Sequence, residues 1–296
     1  MLLFKTEIDG FDQVQSGKSF QLRVVAIIAA YNEERFIAAC LENLFRQGVE
    51  AYLIDNCSTD ETLSIARRYL KHGLIGIESF PRTEGMYNWR AILTRKEELA
   101  ATLEADWFMH VDADEVRLPP RSSQTLAGAF AEVDEQGYNA VDFLEFTFTP
   151  TREEPDQDHP DFQRTMRRYY PFLPWFPHRL NAWRRQPARV ELAWYGGHRV
   201  RFPGLRVSPV LFKMRHYLFL SVAHFLDKYA TRVYDPAEVK RGWHGWRSRL
   251  KPDLIKLPSE DELRLYTSDD ELDASNPRTR HFAEQWAEKQ RRRLWF

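Results

Sequence analysis

Two aspartates, Asp112 and Asp114, stand on either side of one small residue in the stretch "WFMHVDADEVRLPP", residues 107–120. In an extended chain, residues i and i+2 point to the same side, so both carboxylates can be presented together around Ala113. Carboxylates held this close repel each other unless a cation lies between them. Mg²⁺ usually takes one or two protein carboxylates and completes its octahedron with water and substrate phosphate. The spacing therefore favours a metal and phosphate site, although solvated charge at a strand end gives the same pattern.

The elements that must position these aspartates alternate between strands and helices. The run "RVVAIIAAY" is apolar and rich in β-branched residues, which is typical of a strand covered on both faces. A helical pattern follows over residues 33–48, and a second one over 58–73 opens with Ser58 and Glu61 at capping-box spacing. The strands "AYLIDN" and "LIGIES", a long helix over about 86–103 and the strand "WFMHV" complete the series. This order predicts an α/β fold with right-handed crossovers and a parallel sheet.

Polar clusters follow the first, second and fourth of these strands. They are Tyr31-Asn32-Glu33, Asp55-Asn56 and Asp112-Ala113-Asp114. Open α/β sheets bind ligands beyond the carboxyl ends of their strands, so these clusters predict a common site. The alternatives are that Asp55 belongs to a simple turn, that Tyr31 packs at a strand end, and that the negative charge of Glu33 stabilises the start of the following helix.

Composition limits the classes of protein that the chain can represent. Its 296 residues, 43% of them hydrophobic, suffice for one large domain or one domain with an appendage. The formal charge of −1 predicts no nucleic-acid partner. Between Arg164 and His216, however, there are twelve Arg or Lys residues and a single acid, Glu191. This basic block indicates a surface that meets phosphate or another anion, or else solvated arginines stacked on aromatic neighbours.

Several features favour a soluble protein of the cytoplasm. Cys40 and Cys57 are the only cysteines, too few for a disulfide framework in a chain of this length. The first ten residues do not form a secretory signal, and the longest apolar runs fall far short of the ~20 residues of a membrane span. The basic end "EKQRRRLWF" is compatible with peripheral contact to the inner face of the cytoplasmic membrane, or with a simple frayed helix end.

The sequence resembles glycosyltransferase family 2. The resemblance rests on "VVAIIAAYNEERFIAACLENLFRQGVEAYLIDNCSTDETLSIA" and "ADWFMHVDADE", and it covers roughly residues 23–118. Within the family, the chain is most similar to a bacterial subgroup whose metal motif reads D-A-D-E. The resemblance implies the GT-A fold, a mostly parallel Rossmann-like sheet covered by helices. On this basis we expect an N-terminal arm over 1–22, a catalytic domain over 23–217 and a helical extension over 218–296.

The resemblance also implies a donor, a metal and a set of site residues. The donor is a nucleoside-diphosphate sugar, with a UDP-sugar favoured, and the acceptor is a saccharide or lipid-linked molecule that the basic block allows to be anionic. The implied nucleotide-sugar contacts are Ala30, Tyr31, Glu33, Asp55, Asp112, Ala113 and Arg215. The implied ligands of Mg²⁺ or Mn²⁺ are Asp112, Asp114 and His216, although a lone histidine before aromatic residues is often structural. His198, which follows two glycines, is the other candidate histidine.

The catalytic base departs from the family pattern. Inverting members usually carry an acidic residue after the fifth strand to deprotonate the acceptor hydroxyl. Where relatives place His-Glu, this chain has His198-Arg199, so Glu191 becomes the candidate base, with Asp142 and Glu145 as rivals. The stretch "RTEGMYNWRAIL" also replaces the Asn- and Arg-rich turn of the family, so no sugar contact is carried over there.

The sequence thus predicts a metal-dependent, inverting glycosyltransferase of bacterial surface polysaccharide synthesis, with two rivals. A nucleotidyltransferase on a similar sheet normally needs a Gly-rich basic loop after the first strand, which "AAYNEERF" lacks. A non-catalytic nucleotide-sugar or glycan-binding protein stays open while the base is unassigned. The segment "KRGWHGWRSRL", residues 240–250, is either an acceptor platform or a clamp that holds the extension on the main domain.

Overall fold

A computed structural model of the protein describes residues 22–244, 247 and 255–285, and these include two sheets, seven named α-helices and a further helical segment over 282–285. In chain order, the strands are β1 (Val24–Ala30), β2 (Val49–Asp55), β3 (Leu74–Ser79), β4 (Trp107–Asp112), β5 (Glu115–Leu118), β6 (Ala140–Val141), β7 (Phe143–Phe148), β8 (Arg168–Phe172), β9 (Ala182–Arg184), β10 (Phe212–Tyr217) and β11 (Arg264–Leu265). The helices are α1 (Ile37–Arg46), α2 (Thr62–Arg67), α3 (Trp89–Thr102), α4 (Leu126–Glu135), α5 (Phe162–Thr165), α6 (Val222–Ala230) and α7 (Pro236–Lys240).

The larger sheet has six strands in the order β3-β2-β1-β4-β9-β6. The four strands from β3 to β4 run parallel to one another, and β9 runs antiparallel to β4. The apolar run of β1 is buried along its length because both neighbours and both faces cover it. The predicted α/β fold, with a mostly parallel sheet covered by helices, is confirmed.

The smaller sheet has five strands in the order β11-β8-β7-β10-β5. Its strand β5 begins directly after Asp114 and pairs antiparallel with β10, so that His216 lies opposite Glu115. This register carries a residue about one hundred positions downstream back to the aspartate pair. The two sheets therefore meet at the Asp112–Asp114 turn.

The helices bury their apolar stripes against the sheets. In α1 the buried side chains include Ile37, Cys40, Leu41 and Leu44, so Cys40 belongs to the core as its helical spacing predicts. The long helix expected over 86–103 is α3, and the Asn88 side chain caps it by accepting a hydrogen bond from the Ala91 amide at 2.9 Å.

Two local predictions are wrong. Ser58 does not cap a helix: its Oγ accepts a hydrogen bond from the Asn32 amide at 3.1 Å, and α2 begins only at Thr62. The segment "SEDELRLY" is not a helix, because after a 3₁₀ turn over Glu260–Glu262 the chain extends into β11 and pairs with the edge of β8.

Part of the C-terminal prediction lies outside the described residues. The extension expected to be helical from 218 contains α6 and α7, with irregular chain between the remaining elements. The N-terminal arm up to residue 21, Trp246, Arg249 and the basic end 288–296 fall outside the described ranges. Within the described part of the chain, no helix has the length and apolar character needed to cross a membrane.

Candidate functional site

A cleft of about 260 Å³ lies beyond the carboxyl ends of β1, β2 and β4. From these three strand ends it is lined by Ala30, Tyr31, Glu33, Asn56, Asp112, Ala113 and Asp114. Because β9 is antiparallel to β4, the chain leading into β9 reaches the same edge on the side of β4 away from β1. That segment contributes Phe172, Pro174, Trp175, His178 and Arg179 to the lining. The prediction that the polar strand ends meet at one site is thus matched by the geometry.

Asp114 is buried and held by two cationic side chains. Lys228 of α6 donates a hydrogen bond from Nζ to Asp114 Oδ2 at 2.8 Å, and His216 Nε2 lies 3.6 Å from the same oxygen. Burial alone would raise the pKa of Asp114, but Lys228 and His216 outweigh it and hold that pKa well below its usual value. Lys228 Nζ also donates to Glu33 Oε2 at 3.0 Å, so one ammonium group bridges two buried carboxylates.

Glu145 lies behind the cleft at the centre of a buried ionic cluster. Its Oε1 accepts a hydrogen bond from His216 Nδ1 at 2.6 Å, and its Oε2 accepts from His178 Nε2 at 3.0 Å and Arg179 Nε at 2.8 Å. Burial would lower the pKa of His216, yet Glu145 and Asp114 raise it to about 9. A carboxylate on one ring nitrogen, with the other nitrogen directed at an aspartate, is the arrangement that orients a metal-binding histidine. Asp114 and His216 thus have the orientation of metal ligands, although within the described ranges no three His, Cys, Asp or Glu side chains are grouped closely enough to hold a metal ion.

Asp112 is the more open of the two aspartates, with 34% of its side chain exposed. Its backbone amide donates to Glu115 Oε2 at 3.0 Å, and the same Glu115 oxygen accepts from Arg117 Nη2 at 2.6 Å. His110 Nε2 lies 3.8 Å from Asp112 Oδ1, but burial and nearby cations lower the pKa of His110 well below its usual value, so this imidazole is neutral. Glu115 thus fixes the turn from within the protein, and Asp112 presents its carboxylate to the cleft.

At the β1 and β2 end, an aromatic ring lies between two arginines. The guanidinium carbon of Arg82 is 4.0 Å from the centroid of the Tyr31 ring, and that of Arg232 is 5.6 Å from it. Asp55 itself is buried beneath the lining, where its carboxylate lies 3.3 Å from the Ser58 amide, and the adjacent Asn56 faces the cleft.

The structure does not bring every predicted site residue to the cleft. Arg215 alternates with His216 along β10 and therefore points to the other face, where it pairs with Asp269 at 3.4 Å. Glu191 also lies outside the cleft lining, paired at the surface with Arg201. Of its rivals, Asp142 accepts a hydrogen bond from the Arg179 amide at 2.7 Å beneath the cleft, and burial raises the pKa of its carboxyl to about 6.

Sequence reasoning missed the contribution of α6 to this site. Lys228 lies in the last turn of α6, and Arg232 follows two residues after that helix ends at Ala230. Arg232 Nη2 donates to the Tyr31 carbonyl at 3.4 Å and lies 3.8 Å from Glu33 Oε1. The spacing of the two basic residues in "DKYATRVY" was the available signal, but nothing local indicates which carboxylates they reach.

Two further predicted features also border the cleft. His198 is part of the lining, stacked on His178 with ring centroids 5.3 Å apart. From the segment 240–250, His244 lines the cleft and donates from Nε2 to Glu238 Oε2 at 2.7 Å.

The chain is similar to known proteins in sequence and in structure. The family model described as Glycosyl transferase family 2 matches residues 25–188. No curated protein matches the chain in sequence. Among solved structures, it is similar to S. aureus TarS, with 14% identity, coverage of 76% of this chain and 44% of that one, and a TM-score of 0.40. A TarS structure in complex with UDP-GlcNAc is 15% identical, over 66% of this chain and 58% of that one, with a TM-score of 0.39.

A further similar structure is the mannosyltransferase PcManGT from Pyrobaculum calidifontis in complex with GDP-Man and Mn²⁺. It is 21% identical over 66% of this chain and 57% of that one, with a TM-score of 0.36. The chain spans about half the length of these relatives, between 44% and 58%.

Proposed function

The chain belongs to glycosyl transferase family 2, and we propose that it transfers a sugar from a nucleoside-diphosphate sugar to an acceptor hydroxyl. The observation that carries the proposal is the placement of Asp112, Asp114 and His216 at the mouth of one cleft. A donor with its base near Tyr31 and Asn56 would place its diphosphate toward Asp112 and Asp114, because β1 lies between β2 and β4 in the sheet. A UDP-sugar is the favoured donor.

Asp112, Asp114 and His216 would hold Mg²⁺ or Mn²⁺. When bound, the cation would neutralise the diphosphate that leaves as the glycosidic bond breaks. Glu145 would keep His216 Nε2 directed at the site, where metal ligation requires that nitrogen without its proton. Lys228, whose Nζ donates to Asp114 Oδ2, also lines the cleft and would place positive charge beside the diphosphate.

The remaining cleft residues would bind and orient the donor. Arg82 and Arg232, which flank Tyr31, place positive charge beside the expected nucleotide position. Tyr87 and Trp89 stack on each other with centroids 5.8 Å apart and form an apolar wall that limits the access of water to the sugar. We propose inversion at the anomeric carbon, which the configuration of the product, read by NMR, would test.

Donor binding tests the proposed function directly. UDP-, GDP- and dTDP-sugars are titrated calorimetrically into wild type, Asp114→Ala and Asp161→Ala, each with and without Mn²⁺, and the release of nucleoside diphosphate is followed in parallel. Asp161 is a matched control because it is an exposed aspartate that pairs with Arg164 at the surface. We expect Mn²⁺-dependent binding of one donor in wild type and Asp161→Ala, with a loss of at least tenfold in affinity in Asp114→Ala. Binding that is equal in all three proteins, or absent from wild type, would refute the proposal.

A further inference from the structure

Most of the basic residues between Arg164 and His216 are neutralised by ion pairs with carboxylates of the same chain. The ion pairs are Arg164–Asp161, Arg168–Glu260, Arg179–Glu145, Arg184–Asp134, Arg189–Glu97, Arg201–Glu191, Lys213–Asp270 and Arg215–Asp269. Within the described ranges, Arg185, Arg199 and Arg206 have no carboxylate within 4.0 Å, and Arg167 donates to a backbone carbonyl. Of these, only Arg199 is next in sequence to a residue of the cleft lining, His198, and its Nε is buried without a hydrogen-bond partner. Near the cleft, Arg199 is therefore the residue of this block whose positive charge has no carboxylate partner among the described residues.

Arg199 lies against a cluster of aromatic rings. Its guanidinium carbon is 5.3 Å from the Tyr195 ring centroid and 6.0 Å from that of Trp194. Trp175 meets Tyr195 edge to face, with centroids 5.8 Å apart. Trp175 and Trp194 are 41% and 40% exposed, which is unusual for residues of this size. We refer to Trp175, Trp194, Tyr195 and Arg199 as the aromatic rim.

The rim is continuous with the cleft and held in place. Trp175 belongs to the cleft lining. Trp89 Nε1 donates to the Gly196 carbonyl at 3.0 Å, and the Gly197 amide donates to the Leu192 carbonyl at 3.2 Å. These bonds tie the loop that carries Tyr195 to α3, so the exposed rings are positioned before any ligand arrives.

Sheet order places the rim on the acceptor side of the site. The nucleotide end lies at β1 and β2, the aspartates follow β4, and Trp175 precedes β9 on the far side of β4. A donor that lies from Tyr31 to Asp114 therefore presents its sugar toward the rim. This step rests on the proposed function.

We propose that the aromatic rim is the acceptor subsite and that it takes a saccharide bearing a carboxylate or phosphate group. Tryptophan and tyrosine rings offer rigid apolar faces against which the apolar face of a sugar ring packs, with polar edges left for its hydroxyls. The planar guanidinium of Arg199, with no competing carboxylate in ion-pair contact, matches a carboxylate or phosphate in a two-pronged hydrogen bond. A neutral sugar would leave this cation with only the longer-range attraction of the Asp142 carboxylate.

Binding of defined saccharides tests the rim without requiring turnover. Tetragalacturonate, glucose 6-phosphate and maltotetraose are titrated into the full chain, with Arg199→Gln, Trp194→Ala and Arg206→Gln as variants. Arg206→Gln is the matched control, since Arg206 also lacks a described carboxylate partner but neither of its sequence neighbours lines the cleft. We expect at least one acidic probe to bind wild type tenfold or more tightly than maltotetraose. Arg199→Gln should remove that preference, Trp194→Ala should weaken binding of both kinds of saccharide, and Arg206→Gln should bind as wild type does.

The outcomes separate this proposal from the proposed function. A preference confined to tetragalacturonate identifies a carboxylate acceptor, and one confined to glucose 6-phosphate identifies a phosphate. If neither acidic probe is preferred, or if Arg199→Gln behaves like Arg206→Gln, the rim proposal is overturned. Mn²⁺-dependent nucleotide binding, measured on the same proteins, should be unchanged in Arg199→Gln. If wild type shows no Mn²⁺-dependent nucleotide binding, the proposed function is overturned, and the saccharide titrations then report on saccharide binding alone.

Discussion

Replacement of Glu145 by glutamine should cost far more stability than the same change at an exposed glutamate. The Glu145 side chain is fully buried and accepts hydrogen bonds from Arg179, His216 and His178. Glutamine keeps the shape but removes the negative charge that compensates the buried cations. The removal of one partner from a buried ion pair generally costs about 3–5 kcal/mol, because the other charge is left without compensation.

The raised pKa of His216 reflects the same stabilisation. A rise from 6.5 to about 9 corresponds to about 3 kcal/mol of stability, and Glu145 and Asp114 both contribute to it. Since the folded pKa is raised, this stability is fully present below pH 6.5 and is lost as the pH increases through about 9. In Glu145→Gln the pKa of His216 should fall, so less stability should be lost between these two pH values.

Urea unfolding at pH 6, 7.5 and 9.5 measures both effects, with Glu191→Gln as the control. Glu191 also pairs with an arginine, but its side chain is 39% exposed and that of Arg201 is 59% exposed. We expect a loss of about 3–5 kcal/mol in the free energy of unfolding for Glu145→Gln at pH 7.5, against about 0–1 kcal/mol for Glu191→Gln. Equal losses in the two variants, or an unchanged pH profile in Glu145→Gln, would refute the reasoning that the buried carboxylate holds the cluster together.

Three further outcomes follow from the structure. Lys228→Met should lower the free energy of unfolding by about 3–5 kcal/mol, because two buried carboxylates lose their shared cation; a loss below about 1 kcal/mol in urea would contradict this. Gly197→Ala should destabilise more than Gly204→Ala by about 1–3 kcal/mol, since both positions have positive φ but only at Gly197 would a Cβ crowd neighbouring side chains, as close as 3.0 Å; equal melting temperatures would count against it. A thiol reagent should modify exposed Cys57 quickly and Cys40 only on unfolding, because burial raises the pKa of the Cys40 thiol; two fast thiols would exclude this placement.

The sequence was sufficient to predict the sheet and the acidic end of the cleft, because both depend on local pattern. Each strand end was recognisable from an apolar run followed by polar residues, and the carboxyl ends of parallel strands necessarily share an edge. The capping box at Ser58 failed because a serine hydroxyl accepts from any amide that reaches it, and here the Asn32 amide does.

Features that depend on distant pairing could not be predicted. Alternation along β10 predicts only that Arg215 and His216 face opposite sides of the sheet. The register of β10 against β5 decides that His216, and not Arg215, faces the site. Likewise, nothing near Lys228 in sequence identifies Asp114 as its partner. Glu191, the candidate base chosen from its basic surroundings, is instead paired with Arg201 outside the cleft lining.

The Lys228 bridge also has a consequence for the order of events during synthesis. A ribosome makes Asp114 first and must add a further 114 residues before Lys228 exists. At roughly 5–20 residues per second, a first sheet that folded before Lys228 was made would bury these acidic residues without their counter-charge for roughly 6–23 seconds. During that interval, Glu33 and Asp114 stay solvated unless a divalent cation takes the place of the Lys228 ammonium group. Pulse proteolysis of stalled nascent chains should therefore find the first sheet protected only after α6 has emerged from the exit tunnel, or earlier when divalent cation is added.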